Sequence, residues 1–100
     1  MAYTNIEKDG DRLTVFPESR LDTATAPRLK EELTPHLEGI QDVLMDFEHV
    51  EYISSAGLRV LLEVYQLMED RGGTLRITHV SKSIMAIFNL VNFAEIVTIE

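Results

Sequence analysis

A buried strand, a short polar loop and an amphipathic helix follow one another within residues 42–70, and this succession constrains the fold more than any other feature of the chain. Residues 43–45 (Val, Leu, Met) form an apolar run that is typical of a central strand buried on both faces. Asp46 therefore lies near the end of that strand. Ser54 and Ser55 follow the loop and open the helix. The pattern predicts a hydroxyl group at a helix N-terminus.

The helix that follows the serines shows one apolar and one polar face at helical spacing. Its apolar face is expected to contain Leu58, Leu61, Leu62, Tyr65 and Met68. Its polar stripe is expected to contain Arg59, Glu63, Gln66 and Asp70. Gly72 and Gly73 come directly after this pattern and are expected to end the helix.

The N-terminal third of the chain predicts a hairpin and then a helix. Two strands, residues 3–8 and 12–16, flank a turn at residues 9–11 whose central glycine suits a positive φ. Pro17 limits the second strand. Pro27 fits the first turn of the next helix. This helix is expected to bury a leucine repeat formed by Leu29, Leu33 and Leu37.

The C-terminal third predicts a strand at residues 74–78, a helix capped by Ser81 and a last strand at residues 95–100. Together with the earlier elements, this order predicts a single α/β domain over residues 1–100. Its sheet is expected to be mixed, partly parallel and of about five strands, begun by a β-hairpin, with three or four helices.

Charge and residue usage argue against several classes of function. Seventeen acidic and nine basic residues give a formal net charge of −8, which repels nucleic acid and anionic lipid, so we expect neither direct nucleic acid binding nor membrane insertion. The chain has no cysteine, and its three histidines lack ligand spacing, so no metal or cofactor is expected. Without a signal peptide or an apolar run near 20 residues, the chain is expected to be cytoplasmic.

A serine at a helix N-terminus can have two roles. The first backbone N–H groups of a helix lack intrahelical partners and carry partial positive charge, so the position suits a phosphate. Serine is also a favoured N-cap in any helix, and a cap alone predicts no function. The residues by themselves leave both roles open.

Residues 54–58 (Ser-Ser-Ala-Gly-Leu), preceded by Asp46-Phe47 and Tyr52-Ile53, resemble the signature loop of STAS domains, specifically of bacterial anti-sigma factor antagonists. Residues 19–27 resemble a second recurrent segment of that family, an Arg-Leu-Asp stretch that leads into its first helix. The resemblance covers essentially the whole chain and implies a STAS-like fold.

In that family the loop usually reads acidic-Ser-Ser/Thr-Gly-Leu, and a partner kinase phosphorylates the first hydroxyl residue after the acidic position. The resemblance therefore implies phosphorylation at Ser55, with Ser54, which replaces the acidic residue, as the alternative acceptor. Ala56 replaces the second hydroxyl. The implied partner-binding residues are Asp22, Thr23, Ser54, Ala56, Gly57, Leu58 and Arg59.

Three charged residues, Asp22, Asp46 and Arg59, are expected near this loop. Functional groups of open α/β sheets gather beyond the carboxyl ends of the strands, so Ser55, Asp22 and Asp46 are expected to share that rim. Alternatively, Asp22 serves as a turn or cap residue, and Asp46 serves as a strand-end residue bonded to loop N–H groups. Arg59 lies one helical turn after Ser55 and can reach a phosphate or an acidic group of a partner, or simply face solvent.

The resemblance implies an anti-sigma factor antagonist that regulates transcription by partner switching. Its unphosphorylated form would bind an anti-sigma factor that is also a serine kinase, phosphorylation at Ser55 would release it, and a serine phosphatase would reset it. The alternative is a constitutive scaffold subunit of a membrane transport or stress-sensing complex, in which Ser55 merely caps a helix.

An enzyme is not expected. A nucleophile elbow reads Gly-x-Ser-x-Gly, and Ile53 stands where the first glycine would precede Ser55. The chain also lacks a phosphate-binding Gly-x-x-x-x-Gly-Lys loop. Weak nucleotide binding remains open.

Overall fold

The computed structural model describes residues 5–100 and begins with the predicted hairpin. Strands β1 (Asn5–Asp9) and β2 (Arg12–Phe16) are antiparallel, and Asp9 pairs with Arg12 across a two-residue connection. Gly10 takes a φ of 61°, which an L side chain rarely adopts. The predicted start of the first strand, residues 3 and 4, lies outside the described residues.

The main sheet has five strands, as predicted: β1, β2, β4 (Asp42–Asp46), β6 (Thr74–Thr78) and β7 (Thr98–Ile99), in that spatial order. The central strands β4 and β6 are parallel to each other and to β2. Strand β7 extends the parallel part at the edge. Val43 and Met45 are completely buried, whereas Leu44 between them is only half-buried, so β4 is less buried on one face than the apolar run predicted.

Helix α1 (Thr25–Leu33) buries Ala26, Leu29 and Leu33, in agreement with the leucine repeat. Leu37 was predicted on the same helix, but the helix ends before it, and residues 34–36 form a 3₁₀ turn. Pro35 in that turn lacks an N–H group and cannot continue the helix. Leu37 is nevertheless buried, because the turn directs it back to the core.

Helix α2 (Ser55–Asp70) buries a face that overlaps the predicted one, because Leu61 and Met68 are buried as expected. The side that faces the core consists of Gly57, Val60, Leu61, Val64 and Met68. Leu62 is 38% exposed, while Leu58 and Tyr65 are half-buried. The predicted face followed the leucines, whereas the buried face also contains two valines and a glycine. Gly72, at φ 72°, follows the helix end as predicted.

Helix α3 (Lys82–Leu90) begins at the predicted cap, Ser81. The last strand is shorter than predicted, because residues 93–95 form a 3₁₀ turn and only β7 pairs with the sheet. Phe88 is completely buried, with its ring 6.1 Å from that of Phe47 and 4.7 Å from that of Phe93. These rings close the core at the end of the sheet where β4 ends.

Candidate functional site

Two strands of only two residues bring the distant segments of the candidate site together. Strand β3 (Arg20–Leu21) pairs in parallel with β5 (Tyr52–Ile53), forming a separate small sheet. The carbonyl oxygen of Leu21 then accepts hydrogen bonds from the Ser54 N–H at 2.8 Å and from the Ser54 Oγ at 3.3 Å. Sequence analysis did not predict this pair, since two residues are too few to show a periodicity. It places residues 19–27 directly beside residues 54–58.

Ser54, and not Ser55, is the N-cap of α2. Its backbone is extended, with φ −100° and ψ 178°, and its carbonyl oxygen accepts the Leu58 N–H at 3.0 Å. The Ser54 hydroxyl bonds to Leu21 and makes no cap hydrogen bond to its own helix. Of the two serines considered as caps, Ser54 therefore takes the cap position and Ser55 does not, because the helix already includes Ser55.

Ser55 occupies the first position of α2, and its side chain is exposed to solvent. Within residues 5–100 its hydroxyl makes no hydrogen bond, and the N–H groups of residues 55–57 have no acceptor. Ser54, by contrast, is half-buried. Ser55 therefore has the more accessible hydroxyl group of the two, and it lies at the positive end of the helix dipole.

Gly57 is buried where α2 crosses the small sheet. A Cβ at this position would lie 2.6 Å from Ile53 Cγ1 and 2.7 Å from the Leu21 carbonyl oxygen. The glycine thus allows the first turn of α2 to approach β3 and β5 closely. Its observed role is packing, and the exposed surface at this end of the helix belongs to its neighbours Ser55 and Arg59.

Asp22 organises the start of α1. Its Oδ1 accepts the N–H groups of Ala24 and Thr25, each at 3.0 Å, and its Oδ2 lies 3.4 Å from Arg20 Nε. The hydrogen bonds from the Thr25 and Ala24 N–H groups lower the pKa of the Asp22 carboxyl. Asp22 therefore acts as a turn residue before α1, whose N-cap position is taken by Ala24. Thr23 beside it is exposed.

Asp46 ends β4 as predicted, but its hydrogen bonds lead away from the serines. Its Oδ1 accepts the Glu48 N–H at 3.0 Å and lies 2.9 Å from His79 Nδ1. The hydrogen bond to the carboxylate raises the pKa of His79. The expected rim is also different in detail, since Ser55 follows β5 of the small sheet and not a strand of the main sheet.

Two exposed residues next to the loop were missed by the sequence analysis. The guanidinium carbon of Arg20 lies 4.4 Å from the centre of the Tyr52 ring, and Tyr52 is 42% exposed. This cation–π contact spans the small sheet beside Ser54. It could have been found only from the register of β3 and β5, which no pattern in the sequence reveals.

Residues 5–100 contain neither a cluster of metal-ligating side chains nor a helix suited to crossing a membrane. No group of three or more metal-ligating side chains occurs within residues 5–100. No helix in this range combines the length and hydropathy that crossing a membrane requires.

Comparison with known proteins gives concordant matches. A family model described as the STAS domain matches residues 3–100. The anti-sigma-B factor antagonist of Bacillus subtilis is 24% identical over 95 residues, covering 95% of this chain and 87% of that protein. An anti-sigma factor antagonist from Mycobacterium paratuberculosis superposes with a TM-score of 0.84 at 18% identity, covering 96% of this chain and 82% of the other. The phosphorylated form of SpoIIAA, a Bacillus cell fate determinant, superposes with a TM-score of 0.76 at 12% identity, covering 97% of this chain and 90% of the other.

Proposed function

The chain belongs to the STAS domain family, and from this premise we propose that it is an anti-sigma factor antagonist that works by partner switching at Ser55. The observation that carries the proposal is the Ser55 hydroxyl, exposed in the first turn of α2 and without a hydrogen bond within residues 5–100. The relative from Bacillus subtilis is named an anti-sigma-B factor antagonist, and SpoIIAA, of the same fold, exists in a phosphorylated form. Both support the proposal.

The proposed cycle has three steps in the cytoplasm. The unphosphorylated protein binds an anti-sigma factor and so frees a sigma factor for transcription. The anti-sigma factor, acting as a serine kinase, transfers the γ-phosphoryl group of ATP to Ser55 Oγ, which loses its proton as ADP leaves. A serine phosphatase then hydrolyses the ester with water and returns the hydroxyl and inorganic phosphate.

The electrostatics of phosphorylation suit such a switch. A phosphate adds about −1.5 to −2 charges at pH 7. A loss of about 3 kcal/mol of binding free energy weakens a complex more than a hundredfold. Because Ser55 is exposed and precedes the buried part of α2, the phosphate alters the surface and leaves the core in place.

The test compares wild type, Ser55→Ala and Ser55→Glu as baits in lysate of the source cells. We expect wild type and Ser55→Ala to retain a kinase that, with ATP, phosphorylates wild type at residue 55, as mapped by mass spectrometry, and Ser55→Glu to lose it. Ser83→Ala and Ser83→Glu are matched controls, because Ser83 is an exposed serine in the first turn of α3. A phosphate mapped to Ser54 would contradict the assignment to Ser55.

The alternative, a constitutive scaffold subunit of a membrane transport or stress-sensing complex, is favoured by one observation. Ser54 replaces the acidic residue that usually precedes the phosphorylated serine in relatives of the switching type, and its hydroxyl is bonded to Leu21. A scaffold would retain identical partners on all three Ser55 baits. That result would overturn partner switching.

A further inference from the structure

Helices α1 and α2 enclose a surface groove of about 330 Å³ that begins one residue after Ser55. We call it the interhelical groove. Its lining residues are Pro27, Lys30, Glu31, Ala56, Arg59, Val60 and Glu63. Val60 is nearly buried and Ala56 is half-buried, so these two contribute apolar surface to the groove, with Pro27 on the α1 side. The charged residues surround that apolar surface.

The charges around the groove are not equivalent. Lys30 Nζ lies 3.2 Å from Glu63 Oε1, a salt bridge that links α1 to α2. Arg59 is exposed, and within residues 5–100 its guanidinium makes no salt bridge or hydrogen bond. Glu31 is an exposed carboxylate on the α1 side of the groove, whereas the α2 side presents the unpaired Arg59 cation next to apolar surface, in a chain of net charge −8. That combination fits an apolar side chain flanked by a carboxylate.

We propose that the interhelical groove binds an apolar anchor residue of the anti-sigma factor, that a neighbouring carboxylate of that protein pairs with Arg59, and that phosphate on Ser55 takes Arg59 away from this carboxylate. This inference rests on the proposed function and specifies its contact surface. We take the occupant to be a protein segment, because the groove lies next to Ser55, whose phosphate is proposed to control binding of a protein. Charges more than about 8 Å apart are largely screened at physiological salt. A partner that responds strongly to the phosphate must bind close to Ser55.

The geometry of α2 makes the competition for Arg59 possible. Residues 55 and 59 are separated by four positions in one helix and therefore lie on the same face, one turn apart. An anionic residue four positions before a cationic one is the favourable order in a helix. A guanidinium–phosphate pair is charge-assisted and can be bidentate. Phosphorylation then acts in two ways: it repels the partner carboxylate and it removes that carboxylate's cation.

The pairing within the chain can be tested without any partner. Full-length protein carrying phosphoserine at position 55 is titrated by ³¹P NMR, with and without Arg59→Gln. We expect the second pKa of the phosphate to rise by about 0.3 in Arg59→Gln, since the cation that favours the dianion is gone. Lys82→Gln, which removes the same charge from an exposed site on α3, is the control. Equal values in all three proteins would overturn the pairing.

The groove is tested with the kinase identified by phosphorylation of Ser55. We expect Arg59→Gln to weaken its affinity for the unphosphorylated protein about tenfold or more, and Lys82→Gln to leave it unchanged. Ala56→Leu, which fills the groove, should weaken it similarly. If thermal unfolding shows that Ala56→Leu is not folded, the affinity of Arg59→Gln alone tests the groove. Unchanged affinity in Arg59→Gln would overturn the proposed surface.

The sign of the coupling separates competition from simple repulsion. If phosphate removes Arg59 from the partner, phosphorylation weakens binding less in Arg59→Gln than in wild type, because that contact is already lost. If phosphate only repels, its effect is equal or larger in Arg59→Gln, where no cation offsets it. Either of the latter results overturns the competition. Failure of the proposed function gives a different result, because then no kinase phosphorylates Ser55 at all.

Discussion

Helices α2 and α3 both begin after a serine with an extended backbone, and the two serines make different hydrogen bonds. Ser81 Oγ accepts the Ile84 N–H at 3.2 Å, so this hydroxyl caps its own helix. Ser54 Oγ donates to the Leu21 carbonyl oxygen, so this hydroxyl is bonded to strand β3 and not to its own helix. The N–H groups at the start of α2 are left without that acceptor.

The difference shows that a serine before a helix does not by itself determine how the helix starts. Near Ser81 the side chain stabilises the helix end, as expected of an N-cap. Near Ser54 the small sheet supplies the acceptor, and α2 is held in place by packing at Gly57 instead. The next serine, Ser55, is exposed in the first turn of α2.

Gly57→Ala should have the largest effect on stability, because it tests the packing that holds α2. The added methyl would lie within 3 Å of the rigid Leu21 carbonyl and of Ile53. We expect a loss of about 1–3 kcal/mol in the free energy of unfolding, measured by urea denaturation. Ser55→Ala, exposed two residues earlier, should change little. Equal stability of Gly57→Ala and wild type would mean that the close approach is not needed.

Ser81→Ala tests the start of α3, where the serine side chain caps its own helix. We expect it to lower the free energy of unfolding by about 1 kcal/mol, because the Ile84 N–H loses its acceptor. The same denaturation experiment measures it. Binding of the kinase in the proposed cycle should not change. A Ser81→Ala protein as stable as wild type would show that the hydrogen bond to Ile84 contributes nothing.

Ser54→Ala removes only the 3.3 Å hydrogen bond to Leu21, while the Ser54 N–H still bonds to the same carbonyl. We expect the free energy of unfolding to fall by less than about 1 kcal/mol, which is a smaller loss than that of Ser81→Ala. Thermal unfolding of the two variants in parallel gives the order. The reverse order would mean that Ser54, like Ser81, stabilises its helix by capping.

The smallest effect concerns the entry to α3, where His79 bonds to Asp46. Because this bond raises the pKa of His79, its stabilisation is complete below the pKa of an unfolded histidine, about 6.5, and is lost as pH rises through the higher folded value. His79 is exposed, so solvent screens the pair. The Tm of wild type should fall slightly more than that of His79→Gln above about pH 6.5. Parallel Tm curves would rule out the contribution.

The sequence predicts elements that repeat a pattern over several residues. The hairpin, β4 and the span of α2 follow from such patterns, as do the cap at Ser81 and the stop at Gly72. The class of the fold follows from the order of these elements.

Features that depend on contacts distant in sequence were missed. The β3–β5 pair joins Leu21 to Ile53, and no local pattern records that register. The cap assignment between Ser54 and Ser55 depended on the same contact. For the candidate site, the resemblance predicted the loop and Asp22, and neither it nor any pattern indicated that α1 would form a groove beside Arg59.

Ser55 is held in position by the pairing of two short strands, β3 and β5, that are distant in sequence. A peptide of residues 50–60 lacks Leu21 and has nothing to hold Ser54 or to start the helix at Ser55. Under the proposed function, the kinase reads a three-dimensional surface and not a linear motif. Under the same proposal, unfolded or truncated chains would escape phosphorylation, and the phosphate would mark only molecules that have completed folding.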